Sequence, residues 1–165
     1  MSDTISHSQL YEDSKRFVQA CWDNSNTRKA MHEFSRDSDY QALGEGKYRS
    51  VFYREDLAED TEAVVKFPNR IHALDESREH NLDEYKAWNS MDEEMQDDFA
   101  EVLEAGEEGN YLVQRRSEGS NILGALRLMI KYRYSKYPSD DLSFSNIGVV
   151  DGEDVITDFP WGEIE

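Results

Sequence analysis

A lysine closes the apolar run Ala63-Val64-Val65, and no other placement in the chain constrains the fold as tightly. The run is short and rich in β-branched residues, so it reads as a buried strand. Lysine is rarely buried unless an anion offsets its desolvation, so Lys66 calls for a carboxylate from elsewhere. The next helical pattern supplies a candidate. From about Asp75 to Met91, Asn81, Glu84, Tyr85 and Trp88 recur at i, i+3, i+4 and i+7, which puts Glu84 among larger groups on one face. Asp75 is the expected N-cap, after the turn-like Phe67-Pro68-Asn69-Arg70. Strand-like and helix-like patterns both occur along the chain, so an α+β fold is expected. Taken alone, the two residues also fit a lysine reaching solvent from a strand end and one more solvated acid beside Glu76, Glu79 and Asp83.

Further residues fall in order around this pair. Upstream, Gly44 and Gly46 in GEGKYRSV sit where a turn between two strands is expected, with Val51 in the second strand. Downstream, DLSFSN carries Asp141 and Asn146 and precedes a hairpin. Its first strand is Ile147-Gly148-Val149-Val150, its turn Asp151-Gly152, and its second strand Val155-Ile156-Thr157, with Asp158 at the exit. Each fragment alone is a common one, since glycine, aspartate and asparagine all favour turns.

In this order the set resembles the nucleotide-binding half of a protein-kinase-like fold. The resemblance implies a twisted antiparallel sheet with one helix as an N-lobe, a reduced helical C-terminal part, and ATP with Mg2+ as cofactors. It implies that Gly44, Gly46 and Val51 cover the nucleotide, that Lys66 meets its phosphates and that Glu84 holds Lys66. Backbone around Gln114 and Arg115 would hold the adenine edge. Asp141 would position the acceptor hydroxyl, and Asn146 and Asp158 would bind magnesium. The implied function is a minimal phosphotransferase acting on a protein or on itself. A catalytically inactive pseudokinase serving as an interaction module is the alternative.

Departures from the family pattern bear on catalysis more than on binding. The third glycine of the flap is Arg49, which stiffens it. Ser139-Asp140 stands where the family has H-R, Ser143 stands where many members place a lysine, and Pro160 replaces the glycine of D-F-G. The chain ends at Glu165, shortly past Asp158, so no activation segment or peptide-docking platform is expected.

Charge is the second strong signal. The sequence holds 36 acidic against 18 basic residues, a net charge of −18, spread over nearly every segment. Scattered acidity is similar to that of proteins from halophilic archaea and their viruses, for which multimolar salt screens self-repulsion. A merely acidic cytosolic protein and a DNA mimic are the competing readings of composition alone. Direct nucleic-acid binding is not expected, because the one dense basic cluster runs from Lys131 to Lys136. No stretch approaches 18 apolar residues and no signal sequence opens the chain, so a cytoplasmic protein, or one of the host cytoplasm if viral, is expected. Lone Cys21 reads as a packed apolar residue, and the histidines at 7, 32, 72 and 80 lack zinc-ligand spacing.

The expected organisation is a helical extension over 1–38, the N-lobe over 39–116 and the reduced C-lobe over 117–165. Leu10, Ser14, Phe17, Cys21 and Trp22 form one apolar helix face, and Ala30, Met31 and Phe34 another. Strands are expected near 40–43, 48–53, 62–67, 99–103 and 111–115. A helix over about 121–134 carries a core-like stripe of Ile122, Leu123, Leu126, Met129 and Ile130.

Overall fold

A computed structural model describes residues 4–119, 122–133 and 142–158. Helices α1 (His7–Asn24) and α2 (Thr27–Arg36) precede strands β1 (Gln41–Glu45), β2 (Arg49–Tyr53) and β3 (Ala63–Pro68). A 3-10 turn, Ile71–Ala73, leads into α3 (Leu74–Ser90), the short α4 (Glu93–Gln96), β4 (Val102–Ala105) and β5 (Leu112–Arg115). Then come β6 (Glu118–Gly119), α5 (Ile122–Arg133), a 3-10 turn at Phe144–Asn146, β7 (Ile147–Val150) and β8 (Glu153–Ile156). The fold is α+β. Among the described residues no helix is long and apolar enough to cross a membrane.

The chain divides into two compact units. The first comprises Met1–Tyr85 and Val102–Gln114 and is built on a five-stranded sheet of order β1-β2-β3-β5-β4. The pairs β1–β2, β2–β3 and β4–β5 are antiparallel. Helices α1 and α2 share one hydrophobic core with this sheet, through Phe17, Phe34, Phe52 and Phe67. Ring centroids 4.9 Å apart for Phe17–Phe52 and 5.3 Å for Phe34–Phe52, both edge-on, show aromatic packing in its preferred geometry. Capping sets where the helices start: the Ser6 hydroxyl accepts from the Gln9 amide at 3.2 Å, and the Asn26 side chain from the Lys29 amide at 3.0 Å. Tyr40 is buried against Phe34 and donates its hydroxyl to Asp13 at 3.0 Å. Burial, with the Asp13 charge adding to it, holds that phenol well above its ordinary pKa.

Two expectations for these helices need correction. Trp22 is half exposed, and buried Asp13 joins the inward face of α1, because Tyr40 and Arg16 satisfy its carboxylate. Asp75 does not cap α3; the helix already begins at Leu74 out of the 3-10 turn, and Asp75 is solvent-exposed in its first turn.

The second unit comprises Lys86–Glu101 and Arg115–Glu165, with a three-stranded sheet of order β6-β7-β8. The strand expected from Phe99 starts only at Val102. Phe99 forms an isolated bridge with Ile156 instead, and the Ala100 amide donates to the Ile156 carbonyl at 2.8 Å. The expected core stripe of α5 is overturned as well. Ile122 and Leu123 are 71% and 80% exposed, and Ile130 is exposed too, while Ala125, Leu128 and Tyr132 are buried. The helix is apolar nearly all round, so periodicity alone cannot choose its inner face. Contacts choose it. The Tyr132 hydroxyl donates to buried Asp98 at 2.7 Å, its ring meets Phe99 edge-on, and Gly124 gives way to Asp154, whose Oδ2 lies 1.7 Å from where a Cβ would stand. Leu128→Ala is therefore expected to cost about 2–5 kcal/mol, as a buried leucine truncation does. Leu123→Ala should stay within about 0.5 kcal/mol. Chemical denaturation of the two variants checks this, and equal losses would restore the stripe to the core.

Candidate functional site

The register of the first unit builds the site. Antiparallel pairing of β2 with β3 sets Val51 opposite Lys66, and α3 lies so that buried Asn81 and Glu84 face the sheet. Asn81 pins the helix by donating to the Gly109 carbonyl at 2.9 Å and to the Lys66 carbonyl at 3.3 Å. Gly109 has φ +69° and its missing Cβ would lie 2.1 Å from the Arg78 carbonyl oxygen, so only glycine lets the β4–β5 turn close onto α3.

At the centre is Glu84, with no exposed surface. Its Oε1 accepts from Lys66 Nζ at 2.8 Å and from Gln114 Nε2 at 3.2 Å; its Oε2 accepts from Arg49, which also reaches Asn81 Oδ1 at 3.3 Å. Both oxygens of one buried carboxylate are thus held by donors from β2, β3 and β5. Charge-assisted hydrogen bonds of this kind are short and directional, so they fix the position of the Lys66 ammonium. The expected pairing of Lys66 with Glu84 is present. Arg49 and Asn81 are members of the cluster that sequence reasoning did not assign. Arg49 carried a usable signal: it begins a strand directly ahead of the apolar residues that pair with β3, where a cation needs an acid as much as Lys66 does.

The remaining first-unit residues fall as follows. Gly46 lies in the β1–β2 turn and its amide donates to the Arg49 carbonyl at 2.8 Å, closing the hairpin. Gly44 ends a bulge in β1, and a Cβ there would meet nothing within 4 Å. Gln114 contributes its buried side chain to Glu84.

In the second unit, the Arg115 amide is committed to the Glu101 carbonyl at 2.8 Å, and its guanidinium pairs with Asp151. The β7–β8 hairpin pairs Ile147 with Ile156, and the Thr157 amide donates to the Asn146 carbonyl at 2.8 Å. That register brings Asn146 and Asp158 to the same end of the hairpin. Both are part-exposed oxygen donors, a set that suits a hard cation such as magnesium. Among the described residues no three His, Cys, Asp or Glu side chains cluster as metal ligands. Asp141 lies outside the described residues, as do Ser139, Asp140 and Pro160. No protein-family model matches this sequence, and no curated protein matches it.

Proposed function

We propose that the chain binds Mg-ATP and is a minimal phosphotransferase of the cytoplasm, acting on a protein acceptor or on itself. The observation that carries this is the buried Lys66–Glu84 pair at 2.8 Å, a strand cation oriented by a helix carboxylate behind a glycine-bearing hairpin. Phosphoryl transfer asks little covalent chemistry of a protein and much positioning of charge, and a fixed ammonium supplies that. In this assignment Lys66 binds phosphate oxygens and Glu84 orients Lys66. Gly44, Gly46 and Val51 cover the nucleotide, and Gln114 and Arg115 flank the base. Asn146 and Asp158 hold magnesium, which when bound neutralises charge on the phosphates. Asp141 orients the acceptor hydroxyl.

One observation favours the pseudokinase alternative, a binding module without chemistry. Arg49 stands at the third-glycine position of the flap and spends its guanidinium on Glu84 rather than leaving a pliant backbone there. Binding is tested by calorimetry with ATP, with and without magnesium. Saturable binding is expected only with magnesium, and Asp158→Ala should weaken it about tenfold or more, the loss of a charged metal ligand. Folded protein that takes up no ATP at millimolar concentration would remove the proposal.

A further inference from the structure

A cavity of about 450 Å3 opens within the first unit, where the β1–β2 turn meets the end of α1, the start of α2 and the segment after β3. Three of its lining residues are basic, Lys47, Arg70 and His72, and among the described residues none of those lining it is acidic. That is unexpected in a chain with 36 acidic residues and a net charge of −18. Cations placed together repel, and a chain that spreads acids over nearly every segment has carboxylates at hand to pair them. Here one carboxylate, Glu76, reaches Arg70, and an aromatic ring serves both cations. Lys47 Nζ lies 4.6 Å and the Arg70 guanidinium 5.1 Å from the centroid of the Tyr48 ring, so one aromatic ring anchors both. Arg70 also approaches Glu76 at 3.7 Å, and Tyr48 donates its hydroxyl to the same Glu76 at 2.7 Å. Glu76 itself does not line the cavity. Glu76 therefore offsets part of the Arg70 charge from outside the cavity lining, and Lys47 is left with the Tyr48 ring.

Two further features suit an anion. Thr27, the first residue of the ten-residue helix α2, lines the cavity, so the positive end of that helix lies beside the cations. Trp22, half exposed, forms one wall with its ring edge-on to His72 at 5.7 Å between centroids. We propose that this cavity is a binding site for the phosphate group of a small molecule, held by Lys47 and Arg70, with the Trp22 ring at its edge. The volume holds a phosphate or diphosphate with room for part of the group it is attached to. The proposal does not rest on the Mg-ATP assignment: Gly46 lines this cavity as well as belonging to the proposed nucleotide flap, but Lys66, Glu84, Asn146 and Asp158 take no part in it.

Titration calorimetry of the full chain in chloride-free buffer without magnesium tests the site, with inorganic phosphate, pyrophosphate and AMP as separate probes. Saturable binding of one equivalent of pyrophosphate is expected. Lys47→Gln combined with Arg70→Gln should weaken it about tenfold or more, as loss of two charge-assisted contacts does. Lys15→Gln combined with Lys86→Gln makes the same change in net charge at exposed positions that do not line the cavity, and should shift binding less than about twofold. All four side chains are exposed or partly so, and circular dichroism verifies that the variants stay folded. AMP binding tighter than phosphate, with quenching lost in Trp22→Phe, identifies a ligand whose ring rests on Trp22; equal affinities identify the phosphate alone as the recognised group. The proposal is overturned if pyrophosphate binds without saturation, or if the two double variants weaken it equally. Asp158→Ala, which tests Mg-ATP binding, should leave magnesium-free pyrophosphate binding unchanged, so the two assignments can fail separately.

Discussion

Glu84→Ala is expected to lower the unfolding free energy by about 3–5 kcal/mol, the range for removing one partner of a buried ion cluster. The variant would leave two buried cations, Lys66 and Arg49, without the carboxylate they share, and Gln114 without its acceptor there. At about 2–4 °C per kcal/mol for a chain of this size, the melting temperature should fall by about 10 °C. Glu84→Gln keeps the shape and an amide oxygen, so most of the loss should persist in it; the charge, not the volume, is what the cations need. Replacing the whole set, Glu84→Leu with Lys66→Met and Arg49→Leu, should recover much of the stability, since apolar substitutes for a buried ion cluster are often neutral or better. A shift below about 2 °C for Glu84→Ala, under 1 kcal/mol, would mean that the cluster is solvated in solution.

Under the proposed phosphotransfer function, Asp141→Asn is expected to reduce transfer of labelled γ-phosphate by about 10²–10⁴-fold, the contribution of a positioned general base. Magnesium-dependent ATP binding should be nearly unchanged, because Asp141 is assigned to the acceptor hydroxyl and not to the metal. Autoradiography of the protein itself and of candidate protein acceptors gives the first measurement, and calorimetry the second. Positioning and metal electrostatics supply most of the rate in such reactions, so slow transfer without a catalytic-loop lysine is consistent chemistry. Equal background label in the wild-type protein and in Asp141→Asn, with ATP bound to both, would leave a nucleotide-binding module and no enzyme.

The Lys66–Glu84 pair was legible in the sequence through the order in which it falls, with a buried-strand run supplying the need for an anion. Taken alone each residue also fitted a solvated position, and it was the ordered series around them, from Gly44 and Gly46 to Asn146 and Asp158, that singled out Glu84 for Lys66. The β1–β2 and β7–β8 hairpins were legible because turn residues flanked by strand-forming runs leave few alternatives. Asn146 and Asp158 reach one hairpin end through register alone, which the strand lengths and the Asp151-Gly152 turn set.

What only the tertiary structure decided were the choices that local pattern leaves degenerate. Arg49 read as a departure from a glycine, and became a second cation on Glu84 once β2 was paired with β3 beneath α3. Gln114 read as a backbone contact, yet its side chain is buried because Glu84 offers an acceptor and an unpaired amide there would be costly. On α5 the periodic signal pointed to the wrong face: with apolar residues on most sides, the inner face went to buried Leu128, to Gly124, which leaves room for Asp154, and to Tyr132, which meets Asp98 and Phe99. The basic cavity had no sequence signature at all, since Lys47 in the β1–β2 turn and the Arg70–His72 segment after β3 lie far apart along the chain and meet only when the sheet and helices close around them. Burial of charge is a constraint that each residue carries in its own chemistry; which partner satisfies it is decided by the packing of distant segments, and no local pattern contains that information.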